Sequence, residues 1–401
     1  MASGVASGGL ETHPELDPPP PSSPKDVAAV RAYVQSGPLF PQLGLDAASL
    51  TDAAAETWAD LAETLCVFLR LDPENLAPAA AARVYRHYVP AYLWCAGRLE
   101  RHRREALAKE KSPKTPARPL CVGLTAPQGC GKTTLVAALS FLFARRGVAA
   151  ASASIDDAYL TGAEQEALAA ANPGNALLRY RGNAGTHDVT LAVNTLRALR
   201  SINAVDRRDE LGDAAKTSPS ESSARARVVS VPRYDKTARG GRGDRAAIET
   251  WPQVSAPLDI VLFEGWMLGF EPAADADAAA AHPDLPAVNA RLRDDAYGAM
   301  HALVDDWIVV RVEDTRWVRA WRLEAEQQAR RAGRPTLTDA EVADFVDRFV
   351  PAYDLYAGAM YTRGPWRGGK DNEARDATAK DAGSVLMVQV DATRRVVGGR
   401  E

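Results

Sequence analysis

The segment Gly123-Leu124-Thr125-Ala126-Pro127-Gln128-Gly129-Cys130-Gly131-Lys132-Thr133-Thr134 restricts what this chain can fold into more than any other stretch. The apolar run Leu120 to Thr125 predicts a short strand, and Lys132 to Arg145 carries a helical pattern. Between them, Gly129 and Gly131 let the backbone curl so that successive N–H groups point at one centre. A helix starting at Lys132 adds its unpaired N–H groups and the positive end of its dipole. Such a strand–loop–helix is a phosphate cradle, a P-loop. The amides from Gly129 through Cys130 and Gly131 to Thr134 would hold phosphate oxygens. Lys132 would neutralise the β- and γ-phosphates, and the Thr133 hydroxyl would ligate Mg²⁺. One position departs from the strict pattern: Ala126 stands where a glycine is usual, which the turn tolerates if φ is negative there. No Asn-Lys-x-Asp guanine reader occurs, so ATP is the expected nucleotide rather than GTP. The plain alternative is a Gly-rich turn with an incidental Gly-Lys-Thr; the flanking strand and helix count against it.

After the cradle, strands alternate with helices. Strands are predicted at Val148–Ile155, Arg227–Val231, Leu258–Phe263, Trp307–Val312 and Ser384–Val390, and helices at Thr315–Ala332 and Thr338–Phe349. This order implies an α/β fold, a three-layer α/β/α sandwich of the P-loop NTPase kind with a mostly parallel sheet. Residues 1–25, rich in Gly, Ser and Pro, read as a disordered tail. A helical N-terminal region follows over 26–110, in which Trp58, Leu61, Leu65 and Phe68 share one face and Tyr85 to Arg98 forms a second segment. A Pro-containing linker from Ala108 to Pro119 leads into the domain at 118–401. Stretches near 201–226, 271–286 and 364–382 are charged or rich in Ala, Gly and Pro, and are expected to be mobile surface insertions.

A formal charge of −4 over 401 residues supplies no global basic field, which counts against a nucleic-acid partner. No apolar run approaches the roughly 18 residues that cross a bilayer, so no membrane partner is expected. The cysteines Cys66, Cys95, Cys121 and Cys130 form no CxxC pair and read as reduced thiols inside a cell. The first residues present neither a secretory h-region nor an Arg/Ser-rich leader, and Glu11, Glu15 and Asp17 argue against a transit peptide.

Ligands of open parallel sheets gather at the carboxyl ends of the strands, and two predicted strands end in acids. The first runs into Asp156-Asp157-Ala158-Tyr159, where a carboxylate can accept the proton of an attacking hydroxyl. Asp156 comes first after the strand and is favoured as base, with Asp157 as its rival. The second, Ile260 to Phe263, ends in Glu264, placed to hold Mg²⁺ directly or through water. A helix N-cap or a solvated loop charge is the bland reading of either acid, and the neighbouring cradle outweighs it.

Taken together, these motifs resemble the D-glycerate 3-kinase family of plant and fungal type. The likeness runs through Ala-Pro-Gln-Gly-Cys-Gly-Lys-Thr-Thr-Leu from Ala126 and Ser-Ile-Asp-Asp-Ala-Tyr-Leu-Thr at 154–161. It continues through Arg181-Gly182-Asn183-Ala184-Gly185-Thr186-His187-Asp188, Pro232-Arg233-Tyr234-Asp235-Lys236, Gly241-Arg242-Gly243-Asp244-Arg245, Phe263-Glu264-Gly265-Trp266 and Trp321-Arg322-Leu323-Glu324. It spans about residues 84–363, with Ala158 replacing the aromatic residue usual after the two acids. The wider group it resembles includes uridine kinase, pantothenate kinase and phosphoribulokinase. The resemblance implies the reaction of ATP with D-glycerate to ADP and 3-phospho-D-glycerate, with Mg²⁺.

A site for glycerate needs cations for its carboxylate and polar groups for its hydroxyls; arginine's planar fork suits the first task. Arg181, Arg233 and Lys236 are the candidates, with His187, Asp188 and Tyr234 as polar partners. In this kinase group the helix near 315–333 resembles a lid that lends an arginine to the γ-phosphate; Arg322, then Arg319, is the expected contact. Cys130, inside the loop, would block ATP if oxidised. A monomer is expected. The resemblance implies a chloroplast location and photorespiratory glycerate recycling in a phototroph, with the cytoplasm as the alternative.

Overall fold

A computed structural model describes residues 17–45, 50–109, 117–204, 227–333, 338–368 and 384–398. In chain order its strands are β1 (Leu120–Thr125), β2 (Ala150–Ser154), β3 (Val228–Ser230), β4 (Tyr234–Asp235), β5 (Asp244–Arg245), β6 (Gln253–Ser255), β7 (Ile260–Gly265), β8 (Asp306–Val312) and β9 (Val385–Val390). Among the described residues, β2–β7–β1–β8–β9 form one five-stranded sheet with every pair parallel. β1 is buried along its whole length, as a strand covered on both faces must be.

Alternation along β1 sends Leu120, Val122 and Leu124 into one side layer and Cys121 into the other. Gly123 has no room for more than a hydrogen, because a Cβ there would meet the Trp307 ring at 2.7 Å. The first layer combines the helix Lys132–Arg145 with the N-terminal helices Asp52–Leu69 and Val89–Lys109. Trp58, Leu61, Leu65, Val89, Leu135 and Leu139 belong to one apolar cluster with β1, so the N-terminal helices complete the layer against the sheet. Arg98 ties them to β8 through a two-pronged bond to Asp306 at 2.6 and 2.9 Å.

The predicted β1 and the helix from Lys132 to Arg145 match the observed bounds. Three other expectations are corrected. Arg227–Val231 does contain a strand, but β3 pairs antiparallel with β6 in a separate exposed ribbon, outside the parallel sheet. The expected mobile insertion at 271–286 holds a helix, Asp275–Ala281, and the start of another, Leu285–Asp294, with Ala278 and Leu285 fully buried. Alanine is the best helix former, so an Ala-rich stretch was the wrong sign of a loop. Within the expected tail, residues 1–16 lie outside the described residues, and Asp17 is held in place, taking a bidentate bond from Arg86 at 2.7 and 2.9 Å. In the other two expected insertions, residues 205–226 and 369–382 lie outside the described residues. Asn203, by contrast, bonds both backbone groups of Leu258, and Pro365 packs on Gly269.

Three histidines are buried and resist protonation. Burial pushes His87, with Arg83 adding to it, and His187, against the pull of Asp156, down to about 4, and pushes His301 down to about 3. Their folded-state values lie below the unfolded value of about 6.5, so the unfolded chain binds more protons. The stability they confer is complete above pH 6.5 and is lost as pH falls toward 4, at about 1.4 kcal/mol per histidine per pH unit. Thermal melts should therefore show Tm falling most steeply between pH 6.5 and 4; a flat Tm across that range would contradict neutral burial.

Candidate active site

Registration of the sheet assembles the site. Leu124 of β1 and Ser154 of β2 both lie opposite Glu264 of β7, so the three strands release their following residues at one edge. From β1 the chain enters the loop 126–131, where Gly129 and Gly131 take φ of 80° and 96°. Ala126 does not need positive φ; its N–H donates to the Gly265 carbonyl at 3.2 Å, which explains why alanine serves there. Gly129 is required twice over, since a Cβ would also strike Trp321 at 2.7 Å. No side chain caps the helix at Gly131, and Thr133 and Thr134 are exposed on its first turn. The helix N–H groups and two hydroxyls are thus open to a ligand at the end of the loop, which suits phosphate oxygens.

Lys132 lies under this loop with Nζ 3.7 Å from Glu264 Oε2, both side chains largely buried. Burial alone would lower the lysine's pKa; Glu264, then Cys130 and Asp156, outweigh it and raise it, so the ammonium is charged at neutral pH. After β2, a single 3₁₀ turn, Ile155–Ala158, turns the two neighbouring acids to different partners. Asp156 turns to the lysines: Lys236 Nζ donates to its Oδ2 at 2.7 Å and the Tyr159 hydroxyl to its Oδ1 at 3.0 Å. Burial pushes its pKa up, but Lys236 and Lys132 prevail and hold it at about 2. Asp157 is engaged elsewhere, with Arg233 at 3.2 Å on one oxygen and the Tyr234 N–H at 3.1 Å on the other. There burial prevails over Arg233 and the carboxyl is pushed up.

The remaining predicted residues divide. Lys236 joins Asp156. Arg233 braces Asp157, and Arg181 donates to the main-chain carbonyls of Gly241, Arg242 and Lys236, so both arginines fasten the 232–243 segment. Asp188 caps the helix Val189–Arg200 through the Leu191 N–H and pairs with Arg245 at 3.0 Å, so both its oxygens serve the fold. His187 is buried, stacked on Tyr159 with ring centres 4.6 Å apart and bonded to the Tyr297 hydroxyl at 2.9 Å. Tyr234 packs edge-on to Tyr159 at 5.4 Å. On the helix Trp317–Arg331, Arg319 is half exposed and pairs loosely with Asp347, and Arg322 pairs with Glu326 and lies over Phe345. The Arg322–Glu326 pair lies within the helix, while Arg319–Asp347 and Arg322 over Phe345 join it to its neighbour, Asp339–Asp347; the Trp321 Cβ and the backbone at Trp321 and Arg322 are what abut Gly129. Burial pushes the Cys130 thiol up, which disfavours the reactive thiolate.

Three residues at the site had not been singled out. Tyr159 sits three residues after Asp156 in the same turn, a spacing that marks it once the turn is known. Tyr353, on the π-turn Tyr353–Ala357, accepts the Gln128 N–H of the loop at 2.9 Å. Arg394, beyond β9, donates to the Gly129 carbonyl at 2.8 Å and pairs with Glu324. Neither of the last two leaves a local signal, because both reach the loop from more than 200 residues away.

A phosphate cradle between strand and helix, a buried lysine beneath it, and acids from two neighbouring strand ends define a P-loop kinase, a phosphotransferase. The chloroplastic D-glycerate 3-kinase of Arabidopsis thaliana is 36% identical over 381 residues, covering 94% of this chain and 75% of the plant protein. The chain belongs to the D-glycerate 3-kinase family. The uncharacterized kinase mug58 of Schizosaccharomyces pombe is 35% identical, over 63% of this chain and 86% of its own. The solved structure of D-glycerate 3-kinase from Cryptococcus neoformans var. grubii superposes with a TM-score of 0.59 at 28% identity, over 77% of this chain and 98% of that one. No family model matches the chain.

Proposed function

We propose that the protein transfers the γ-phosphoryl group of ATP to the 3-hydroxyl of D-glycerate, giving ADP and 3-phospho-D-glycerate. The observation that carries this is the meeting of Lys132, Asp156 and Lys236 at the cradle. Loop amides, Lys132 and the first-turn threonines would hold the nucleotide's phosphates. Among the described residues no cluster of three or more His, Cys, Asp and Glu could cage a metal by itself. Thr133 and Glu264 fit Mg²⁺ nonetheless, since that ion takes one or two protein oxygens beside phosphates and water. When bound, Mg²⁺ neutralises charge on the phosphate oxygens.

The substrate hydroxyl attacks the γ-phosphorus, the bond from phosphorus to the β–γ bridging oxygen breaks, and the hydroxyl proton passes to Asp156. A carboxylate held at about 2 by Lys236 is a weak base. The carboxylate of glycerate supplies an alternative partner for the Lys236 ammonium, and the exchange would release Asp156 toward the hydroxyl. This couples base activation to an acceptor that carries a carboxylate, and glycerol should fail for want of one.

Lys236→Met should therefore raise KM for D-glycerate roughly 10- to 100-fold, the worth of a charge-assisted hydrogen bond. Removing Lys236 takes away the largest pull against burial at Asp156, with Lys132 still in place, so its pKa rises and the acid limb of the kcat/KM profile moves to higher pH. An unshifted limb would rule out the exchange. The function itself is tested by ADP release on adding D-glycerate, with the phosphate position assigned by NMR. Turnover with pantothenate or a nucleoside but none with D-glycerate would overturn it. We further propose a chloroplast location, which the plant relative's chloroplastic name supports, with the cytoplasm as alternative, and a role in photorespiratory glycerate recycling if the source is a phototroph; cell fractionation tests the location.

A further inference from the structure

A cleft of about 230 Å³ opens beside the 236–243 segment, and four arginines line it: Arg179, Arg181, Arg239 and Arg242. Glu166 is the acid among the lining residues, and it is taken by Arg239, which also lies 3.7 Å from Asp244. The other three charges are uncompensated. Arg181 donates to main-chain carbonyls, which carry no net charge. Arg179 lies over the Tyr180 ring. Among the described residues, neither Arg179 nor Arg242 has a carboxylate partner. Gly162 and Gly243 form part of the wall, and a Cβ on either would strike Arg239 or Tyr234 at 2.4 Å, so side chains leave the space to the guanidinium groups.

Three guanidinium groups without a carboxylate partner stand around one void, and an anion there would relieve their mutual repulsion. Drug-sized ligands occupy pockets of roughly 300–1,000 Å³, so this one suits a small metabolite. We infer that the cleft is a second anion site, separate from the cradle, for a compact phosphate-bearing anion. Planar guanidinium forks match phosphate oxygens two at a time. The cleft is distinct from the reaction centre because two rings intervene. Arg181 stands 5.6 Å from the Tyr234 ring, that ring packs on Tyr159, and the Tyr159 hydroxyl reaches Asp156.

Occupancy would still be felt at the reaction centre. Arg181 grips the carbonyl of Lys236, whose ammonium holds Asp156. An anion drawing on Arg181 competes with that grip, so its kinetic effect falls on KM for D-glycerate and not on KM for ATP. The phosphorylated three-carbon acid that the proposed reaction releases has the required chemistry, and so does free inorganic phosphate. That kinetic consequence rests on the glycerate reading; the binding itself does not.

The test uses the full chain with Lys132→Ala, which cripples the cradle, and titrates it calorimetrically with 3-phospho-D-glycerate and with inorganic phosphate. One equivalent of either should bind in the cleft, identified by its loss with Arg179 and Arg242; acid held through Lys236 would persist in that variant. Tighter binding of the acid identifies the product class, and equal binding identifies phosphate alone. Adding Arg179→Ala and Arg242→Ala should weaken binding at least tenfold, and Arg179→Lys with Arg242→Lys should restore part of it. In the otherwise wild-type chain the alanine pair should leave turnover at low ligand within twofold. Thermal melts confirm that each variant is folded. No binding to the Lys132→Ala protein, or unchanged binding after removal of both arginines, overturns the site. A wrong acceptor would instead appear as missing D-glycerate-dependent ADP release in the wild type, with these titrations unaffected.

Discussion

Lys132→Ala should lower D-glycerate-dependent ADP release by roughly 10³-fold, the usual scale for losing a preorganised charge at a transferring phosphoryl group. The ammonium is largely buried beneath the loop and kept charged chiefly by Glu264, and on the proposed reading it would stand where charge on the γ-phosphate develops. Few waters can replace it in so enclosed a place, and low dielectric makes each interaction there larger than in solvent. The substitution also strands Glu264 without its cation, so a stability loss of roughly 2 kcal/mol should accompany it. Adding Glu264→Gln should recover the melting temperature but not the turnover. The recovered melting temperature shows that the stability loss comes from the stranded acid; because Glu264 would itself hold Mg²⁺, the lysine's part in turnover is read from Lys132→Ala alone. A Lys132→Ala protein retaining more than roughly a tenth of the activity would mean that the loop at 126–134 is not the phosphate site.

The second large effect separates two adjacent acids. Asp156→Asn should reduce kcat by roughly 10²- to 10⁴-fold, the range for losing a general base. Folding should survive, since the amide oxygen can still accept from Lys236 while the amide N–H donates to the Tyr159 hydroxyl oxygen. Asp157→Asn should leave kcat within roughly tenfold and cost about 1–2 kcal/mol, because both of its oxygens hold the Arg233–Tyr234 segment. Coupled turnover and thermal melting on the two variants check this. The reverse pattern, with Asp157→Asn inactive and Asp156→Asn active, would exchange their roles.

Residues on the loop and the strands were legible because their signals are local. The run Leu120–Thr125, the glycines at 129 and 131 and the helix from Lys132 carry their conformational preferences within a dozen residues. Glu264 was equally legible as the acid ending an apolar strand. Composition misled where its meaning depends on surroundings. The Ala-rich stretch around 278 looked like an insertion, and it is a helix whose burial comes from packing against distant elements. Arg181, Arg233 and Asp188 had the right chemistry for a substrate, and the tertiary structure engages them in fastening the chain to itself.

What the sequence by itself determined, then, is the cradle, the parallel α/β architecture and the acids at its carboxyl edge. Short-range backbone preference and hydrophobic period suffice for those. Which acid stands beside Lys132, and that Tyr353 and Arg394 reach the loop, only the tertiary structure decided. So too for the three arginine charges left unpaired beside the 236–243 segment. Each of these is a contact between residues far apart in the chain, fixed by strand register and helix packing. Electrostatic interaction depends on distance in space, and distance along the chain does not report it.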